Sequence, residues 1–129
     1  MQPVSAAWPD VESWATTYVS SALASRGVTG VLVDRTRDVD DTLPCVVIRR
    51  DGGSVRGIFD DARVSVRVWH STEQGASALA LLVRSLLLAA PRSSPVVARV
   101  ESLSGPVSVT GRSPERFMSL EVTTRGIDL

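Results

Sequence analysis

The only histidine of the chain, His70, stands where a strand-like segment gives way to a helix-like one. Residues 61–69 (DARVSVRVW) alternate between apolar and polar side chains, and the residues that follow the junction are rich in leucine and alanine. A histidine in this position could act as a general base if a nucleophile or a metal ion and an orienting group lay nearby. The adjacent side chains that could take part are those of Ser71, Thr72 and Glu73.

No catalytic or zinc-binding signature accompanies this histidine. The sequence contains no Gly-x-Ser-x-Gly motif, and the only cysteine, Cys45, lies near the start of an apolar segment, where a small buried thiol is the usual explanation. One histidine and one cysteine are too few ligands for a structural zinc site within one chain. We therefore interpret His70 as a residue that ends a strand, and we expect no catalytic residue, no cofactor and no metal ion.

Residues 34–41 (DRTRDVDD) form a charged segment that could in principle hold a hard cation. Its carboxylates are Asp34, Asp38, Asp40 and Asp41, and its arginines are Arg35 and Arg37. The segment lacks the Asp-x-Asp-x-Asp-Gly spacing and the closing glutamate of a calcium loop, and its two arginines would repel a cation. We therefore predict a loop that is exposed to solvent or bridges to another subunit.

A second candidate for ligand binding is the glycine-rich stretch of residues 49–57 (RRDGGSVRG). It does not match a phosphate-binding loop, because no Lys-Ser/Thr pair and no helix start follow it. Its Asp-Gly-Gly sequence is typical of a turn, and we expect it to end the strand before it.

Composition indicates one domain, spanning residues 1–129, with balanced charge. At 129 residues and 43% hydrophobic content, the chain can form one core but is too short for two ordinary domains. Its 14 acidic and 14 basic residues cancel without forming a basic block, so neither nucleic acid nor a membrane surface would attract it strongly. All the basic residues are arginine, which we attribute first to a GC-rich genome, although a planar guanidinium also suits contacts between subunits better than an ammonium group does.

The sequence carries no sign of export. A lone cysteine cannot form a disulfide within the chain, which favours a cytoplasmic environment. The first residues (MQPVSAAWPDVE) lack the basic start and apolar run of a signal peptide. We find no segment that approaches the roughly 20 apolar residues needed to span a bilayer, so we expect a soluble protein.

Hydrophobic periodicity predicts seven elements in the order α-β-β-β-α-β-β. The first helix begins near Pro9 and ends at Gly27, and the second extends from about Thr72 to Ala90. The predicted strands are residues 28–34, 43–50, 61–69, 96–109 and 115–124, with a break in the fourth suggested at Gly105-Pro106. This order favours an α+β fold in which two helices pack on one face of a mostly antiparallel or mixed sheet.

The second helix has apolar residues on two sides. Leu79, Val83 and Leu86 form a face directed at the core, whereas Leu81 and Leu88 fall among polar residues on the far side, seven positions apart. Either another part of the chain covers these two leucines or they contact a second protein, and the sequence alone supports both interpretations equally.

Over nearly its full length, the chain resembles the tail terminator, or tail completion, proteins of long-tailed bacteriophages, particularly those of actinobacterial phages. The matching segments are PDVESWATTYV, LPCVVIRRDGG, DDARVSVRVWHST with the leucine-rich helix after it, and PERFMSLEVTTRG. The resemblance implies a structural protein of the virion, assembled in the host cytoplasm. It would form a ring, usually of six subunits, on the end of the tail tube, stop tube polymerisation and present a surface to the head-side connector.

The resemblance implies contacts with further copies of the chain, the tail tube protein and the connector, with the genome passing through the ring. It implies neither a membrane nor sequence-specific nucleic acid as a partner. The subunit interface expected from the residues combines the apolar pair and the charged segment, namely Leu81, Arg84, Leu88, Asp34, Arg35, Arg37, Asp38, Asp40 and Asp41.

Two alternatives belong to other classes of function. The chain could be a head-side connector subunit or another small oligomeric binding module, and a gene position beside tail tube and tape-measure genes would separate that hypothesis from a terminator. It could also be a small hydrolytic enzyme that uses His70 with Asp60 or Glu73, which requires a deep pocket containing those groups.

Overall fold

The computed structural model describes residues 6–37 and 42–128. The helices are α1 (Val11–Ser25) and α2 (Glu73–Leu88). The strands are β1 (Ala6–Ala7), β2 (Leu32–Asp34), β3 (Cys45–Arg56), β4 (Phe59–Trp69), β5 (Val97–Val109), β6 (Glu115–Arg125) and β7 (Ile127–Asp128). The predicted α+β class and the order α-β-β-β-α-β-β are confirmed, and the two-residue strands β1 and β7 extend that order at its ends.

Five strands form one mixed sheet in the spatial order β2-β3-β4-β6-β5, and β1 pairs with β7 in a separate two-stranded ladder. Only β2 and β3 are parallel, while the other neighbours in the sheet are antiparallel. Helix α1 contacts β2 and β3, and α2 contacts β4, β5 and β6. The two helices therefore cover one face of the sheet, and the edge strands β2 and β5 lie on opposite sides of the molecule.

Each helix begins at a side-chain cap. Asp10 accepts a hydrogen bond from the Ser13 N–H at the start of α1, and Thr72 accepts one from the Gly75 N–H at the start of α2. In the sequence, Ser71 and Gln74 have the spacing of a capping box, but the structure places the cap of α2 one position later, at Thr72. A short 3₁₀ turn, Ala90–Arg92, follows α2 at the proline that ends the helix.

The core lies between the helices and the covered face of the sheet. Strand β4 alternates as predicted, with Val64, Val66 and Val68 fully buried. The buried residues of α1 are Val11, Ala15, Val19 and Leu23. Helical spacing in the sequence predicts a buried face made of Val11, Trp14, Ala15, Tyr18 and Ala22. Only Val11 and Ala15 of this set are fully buried, and the aromatic residues Trp14 and Tyr18 pack at the margin of the core.

The predicted turn at Asp51-Gly52-Gly53 is wrong. Strand β3 continues to Arg56 with a bulge between Arg50 and Gly52, and the chain reverses at Gly57–Ile58. Gly53 has φ of 103°, and a Cβ there would overlap the backbone of β4 at the Asp61 carbonyl. This glycine permits a close approach of two strands instead of a reversal of the chain.

The expectation that no segment is long and apolar enough to span a bilayer also needs correction. The helical segment Glu73–Arg92 has 20 residues and meets that test by length and composition alone. In the structure, one side of this segment packs on the sheet through Leu79, Val83 and Leu86, as the core helix of a folded domain does.

The two sides of α2 provide a matched test of the core. Leu86 is 7% exposed and Leu88 is 41% exposed. Leu86→Ala should lower the free energy of unfolding by about 2 to 5 kcal/mol, because it leaves a cavity beneath the helix. Leu88→Ala should change it by less than about 0.5 kcal/mol. Urea denaturation of both variants measures the difference, and equal effects would show that the core face of α2 is misassigned.

Candidate functional site

His70 lies at the end of β4 against the first turn of α2. Its backbone N–H donates to the Pro114 carbonyl (3.1 Å), and its ring Nδ1 accepts a hydrogen bond from the Ser71 N–H (2.9 Å). A Cβ at Gly75 would overlap the imidazole ring, so the absence of a side chain at that position lets the ring pack on the helix. These contacts give His70 a role in joining the strand to the helix.

An open apolar groove of about 450 Å³ lies beside the His70 ring. Its lining residues are Val28, Thr29, Val31, Pro44, His70, Gly75, Ala78, Leu79 and Leu82. Neither acid of the enzyme hypothesis is among them. Asp60 is held near the other end of β4 by a bidentate ion pair with Arg50 (2.6 and 2.7 Å), and Glu73 accepts a hydrogen bond from Arg116 (2.7 Å). The groove therefore lacks the acidic partner that the enzyme hypothesis assigns to the histidine.

The predicted interface residues of α2 lie on one outer side of the helix, next to β5. Leu81 and Leu88 are 44% and 41% exposed. Between them along the helix, the Arg84 guanidinium donates a hydrogen bond to the Gly105 carbonyl of β5 (3.3 Å). We call Leu81, Arg84 and Leu88 the α2 stripe. Its side chains combine apolar surface with a charged group that is anchored at the edge of the sheet.

The first part of the charged segment lies at the opposite edge, beside β2. The Asp34 carboxylate accepts a hydrogen bond from the Arg35 N–H (2.7 Å). The Arg35 guanidinium donates to Asp10 (3.0 Å) and lies 4.0 Å from a carboxylate oxygen of Glu12. The hydrogen bond from the Ser13 N–H and the charge of Arg35 lower the pKa of Asp10. We call Asp34 and Arg35, with these α1 carboxylates, the β2 patch.

The remaining charged residues do not join this patch. Arg37 stacks on the Trp69 ring, with its guanidinium carbon 4.7 Å from the ring centre, on the face of the sheet that the helices leave open. Asp38, Asp40 and Asp41 lie outside the described residues. The structure thus separates the predicted interface residues into the α2 stripe, the β2 patch and one arginine on the open face.

The open face carries ion pairs that the sequence did not predict. The distances between their charged atoms are 2.9 Å for Arg67–Glu115, 2.8 Å for Arg99–Glu121, 3.1 Å for Arg63–Asp51 and 2.8 Å for Arg56–Asp61. Each pair joins residues on neighbouring strands or across a hairpin, so strand order and register decide the partners. The signals in the sequence were the alternation of arginines with valines along β4 and the place of Glu121 on the polar side of β6, and neither identifies the partner of each charge.

No known protein family matches this chain, and no curated protein is significantly similar to it. Within residues 6–37 and 42–128, no group of three or more His, Cys, Asp or Glu side chains is placed to hold a metal ion.

The contact between His70 and Gly75 predicts a reversal of sign in a double-mutant cycle. Gly75→Ala alone should destabilise the protein, because the new methyl group displaces the His70 ring. In a His70→Ala background the same change should stabilise it by about 0.5 to 1 kcal/mol, the ordinary gain of alanine over glycine within a helix. Urea denaturation of the four proteins measures the coupling, and an additive result would contradict the contact. His70→Ala alone should leave folding nearly intact.

The Asp61 carboxylate predicts a loss of stability in acid. Hydrogen bonds from Arg56 and then from Thr123 lower its pKa below the usual 3.8. A carboxyl with a depressed pKa in the folded state contributes stability above the unfolded pKa, and this contribution is lost as the pH falls through the folded value. Asp61→Asn should therefore lower the urea midpoint near neutral pH and reduce its decline below about pH 4. Asp51→Asn, in a more exposed ion pair, should change the midpoint little; equal profiles for the two variants would contradict the assignment.

Proposed function

We propose that this chain is a phage tail terminator whose copies form a ring on the end of the tail tube, stop its polymerisation and attach the head-side connector. The observation that carries the proposal is the position of the two candidate surfaces. The α2 stripe lies beside edge strand β5, and the β2 patch lies beside edge strand β2, on the opposite side of the same sheet.

A closed ring requires this kind of distribution. In a head-to-tail interface each subunit contributes two different surfaces, one to each neighbour, and both must be exposed on opposite sides of the fold. An apolar stripe and a charged patch satisfy that requirement without a cofactor or an active site. The resemblance to tail terminators supplies the identity of the assembly, with a hexamer as the expected ring.

The chemistry of the two surfaces suits subunits that assemble only after the tail tube is complete. Burying the exposed fractions of Leu81 and Leu88 would contribute roughly 1 kcal/mol each. Charges such as Arg84 and those of the β2 patch favour one register and one partner more than they raise affinity, and salt weakens them. In this proposal the other partners are the tail tube protein and the connector, the genome passes through the ring, and the protein resides at the head-tail interface of the virion.

Serine substitutions on the α2 stripe test the proposal. Leu81→Ser with Leu88→Ser should leave the isolated domain folded and roughly as stable, because both side chains are already exposed. The same variant should fail to form rings and should allow tail tubes to grow beyond their normal length. Electron microscopy of tails made in cells that produce the parent phage measures both effects.

A matched control is Ile58→Ser, which changes an apolar side chain of 59% exposure in the turn between β3 and β4, outside the α2 stripe and the β2 patch. This control should form rings and tails of normal length. If the double variant unfolds, the leucines belong to the core. If it still caps the tubes, the subunit contact lies elsewhere.

A further inference from the structure

We propose that neighbouring copies of this chain join by strand addition, with the exposed edge of β5 in one copy pairing antiparallel to the uncovered upper half of β3 in the next. This inference rests on the ring proposed above and names the main-chain contact that would build it. The upper half of β3 is defined as Gly52–Arg56, and the matching part of β5 as Arg99–Ser102.

The upper half of β3 has no neighbour on its outer side within the described residues. Strand β2 pairs only with Cys45–Val47, and Gly52–Arg56 pairs with β4 alone. Arg56 and Phe59 flank a two-residue turn and therefore form a hydrogen-bonded pair. Because hydrogen-bonded and non-hydrogen-bonded positions alternate in an antiparallel ladder, the N–H and C=O groups of Gly53 and Val55 point away from β4.

The edge of β5 offers the matching groups. The Arg125 N–H donates to the Val96 carbonyl (2.8 Å), which places the main-chain groups of Thr123 and Glu121 towards β5 as well. Their partners in register are Arg99 and Glu101. Val100, between these two residues, therefore directs its N–H and C=O to the outside of the sheet.

Register within the sheet places the two edges at the same height. Gly53 pairs with Ala62, Ala62 with Val122 and Val122 with Val100, so Gly53 and Val100 lie in the same row, at the two ends of that row. Three antiparallel steps separate β3 from β5, and hence these strands have opposite directions. A copy beside the first, with both helix-covered faces on one side, would bring Val100 opposite Gly53 in an antiparallel ladder. The row of Val107 leads in the same way to Val47, whose outer side Asp34 of β2 already occupies. The second copy must therefore be tilted, so that its β5 diverges from β2 beyond Ser102.

Charge on the open face supports this alignment. In the next row of the sheet, Gly52 is the cross-strand partner of Arg63, Arg63 that of Glu121, and Glu121 that of Glu101. Gly52 has no side chain, and the Arg63 guanidinium lies over it, with Nη2 only 2.8 Å from where a Cβ would be. Glu101 is 56% exposed, and the cation that the structure gives it is Arg99 at 3.8 Å. Arg63 is already paired with Asp51 (3.1 Å), and in the paired assembly Glu101 of the neighbouring copy would be a second carboxylate facing the same guanidinium.

Other parts of these edges are less suited to pairing. Strand β5 has register irregularities between Val97 and Arg99 and again beyond Ser102, and Pro106 lacks an N–H donor. On β3, the Arg50 N–H is already bonded to the Glu12 carboxylate (2.8 Å). The regular stretches share only the three rows of Gly52–Ser54 and Arg99–Glu101, because Ser102 lies in the row of Arg50 and Val55 lies in the row of Val97, beyond the bulge.

Disulfide trapping tests the alignment directly. Ser54 and Arg99 share a row, and their main-chain groups point into their own sheets, so in the assembly they would form a non-hydrogen-bonded pair. The Cα atoms of such a pair lie about 4.5 Å apart, within the range of a disulfide. Ser54→Cys protein mixed with Arg99→Cys protein at high concentration should give a mixed disulfide dimer under mild oxidation.

In the matched control, Ser54→Cys protein is mixed with Ser104→Cys protein instead of Arg99→Cys protein. Ser104 lies on the same face and the same edge of the sheet as Arg99, but in the row of Arg49, several rows away from Ser54. The Ser54–Arg99 combination should cross-link at least about tenfold faster than this control, because only the first pair falls within disulfide range. Equal rates would overturn the proposal. Both arms contain the native Cys45, which is buried, and denaturation checks that each variant is folded.

Charge reversal provides a second readout. Glu101→Arg and Arg63→Glu should each weaken self-association about tenfold, and their combination should restore it, because the pair would again be complementary. Failure of the combination to recover would overturn the alignment. Tail length is recorded in parallel. If the unmodified protein ends tails at their normal length but Ser54–Arg99 cross-linking is absent, strand addition is refuted and the terminator function stands. If the cross-link forms but tails keep their normal length with Glu101→Arg, whose self-association is weakened, strand addition stands and the terminator function is contradicted.

Discussion

The central strand β4 imposes the constraint on which the rest of the structure depends. It is bonded along its whole length, Phe59–Trp69, to β3 on one side and to β6 on the other. Because side chains alternate in a strand, a shift of one residue would expose Val64, Val66 and Val68 and bury the arginines between them. The register of β4 therefore decides which face both neighbouring strands present to the helices, and it decides which charges meet on the open face.

This constraint also explains how much of the fold could be predicted. The alternation in β4 identified its buried residues, since only a strand with one covered face requires that pattern. Gly52 and Gly53 led to the wrong prediction of a turn, because glycine is equally suited to a turn and to a close approach of two strands. Only the position of the Asp61 carbonyl on the partner strand distinguishes these two uses. The buried face of α1 was misjudged through Trp14, a large side chain that packs at the margin of the core.

The candidate interface was predictable only where it depends on one helix. The spacing of Leu81 and Leu88 placed them opposite the core face of α2 but left open whether another part of the chain covers them, and the structure shows both exposed. The contact between Arg35 and Asp10 joins residues 25 positions apart and exists because β2 returns beside α1 at the edge of the sheet. No local pattern encodes that return. Strand order likewise placed the two candidate surfaces on opposite sides of the molecule, a property that residue types alone do not carry.

The small size of these surfaces is consistent with assembly at a template. A short ladder adds a few hydrogen bonds at about 0.5 to 1.5 kcal/mol each, and the two leucines add roughly 2 kcal/mol together. Association costs at least about 4 kcal/mol, so one such contact holds two copies only weakly in dilute solution. A subunit in a closed ring makes two contacts, and a tube end that binds several copies raises their local concentration. If the proposed terminator function holds, weak edges would keep the protein monomeric until a finished tube presents its end.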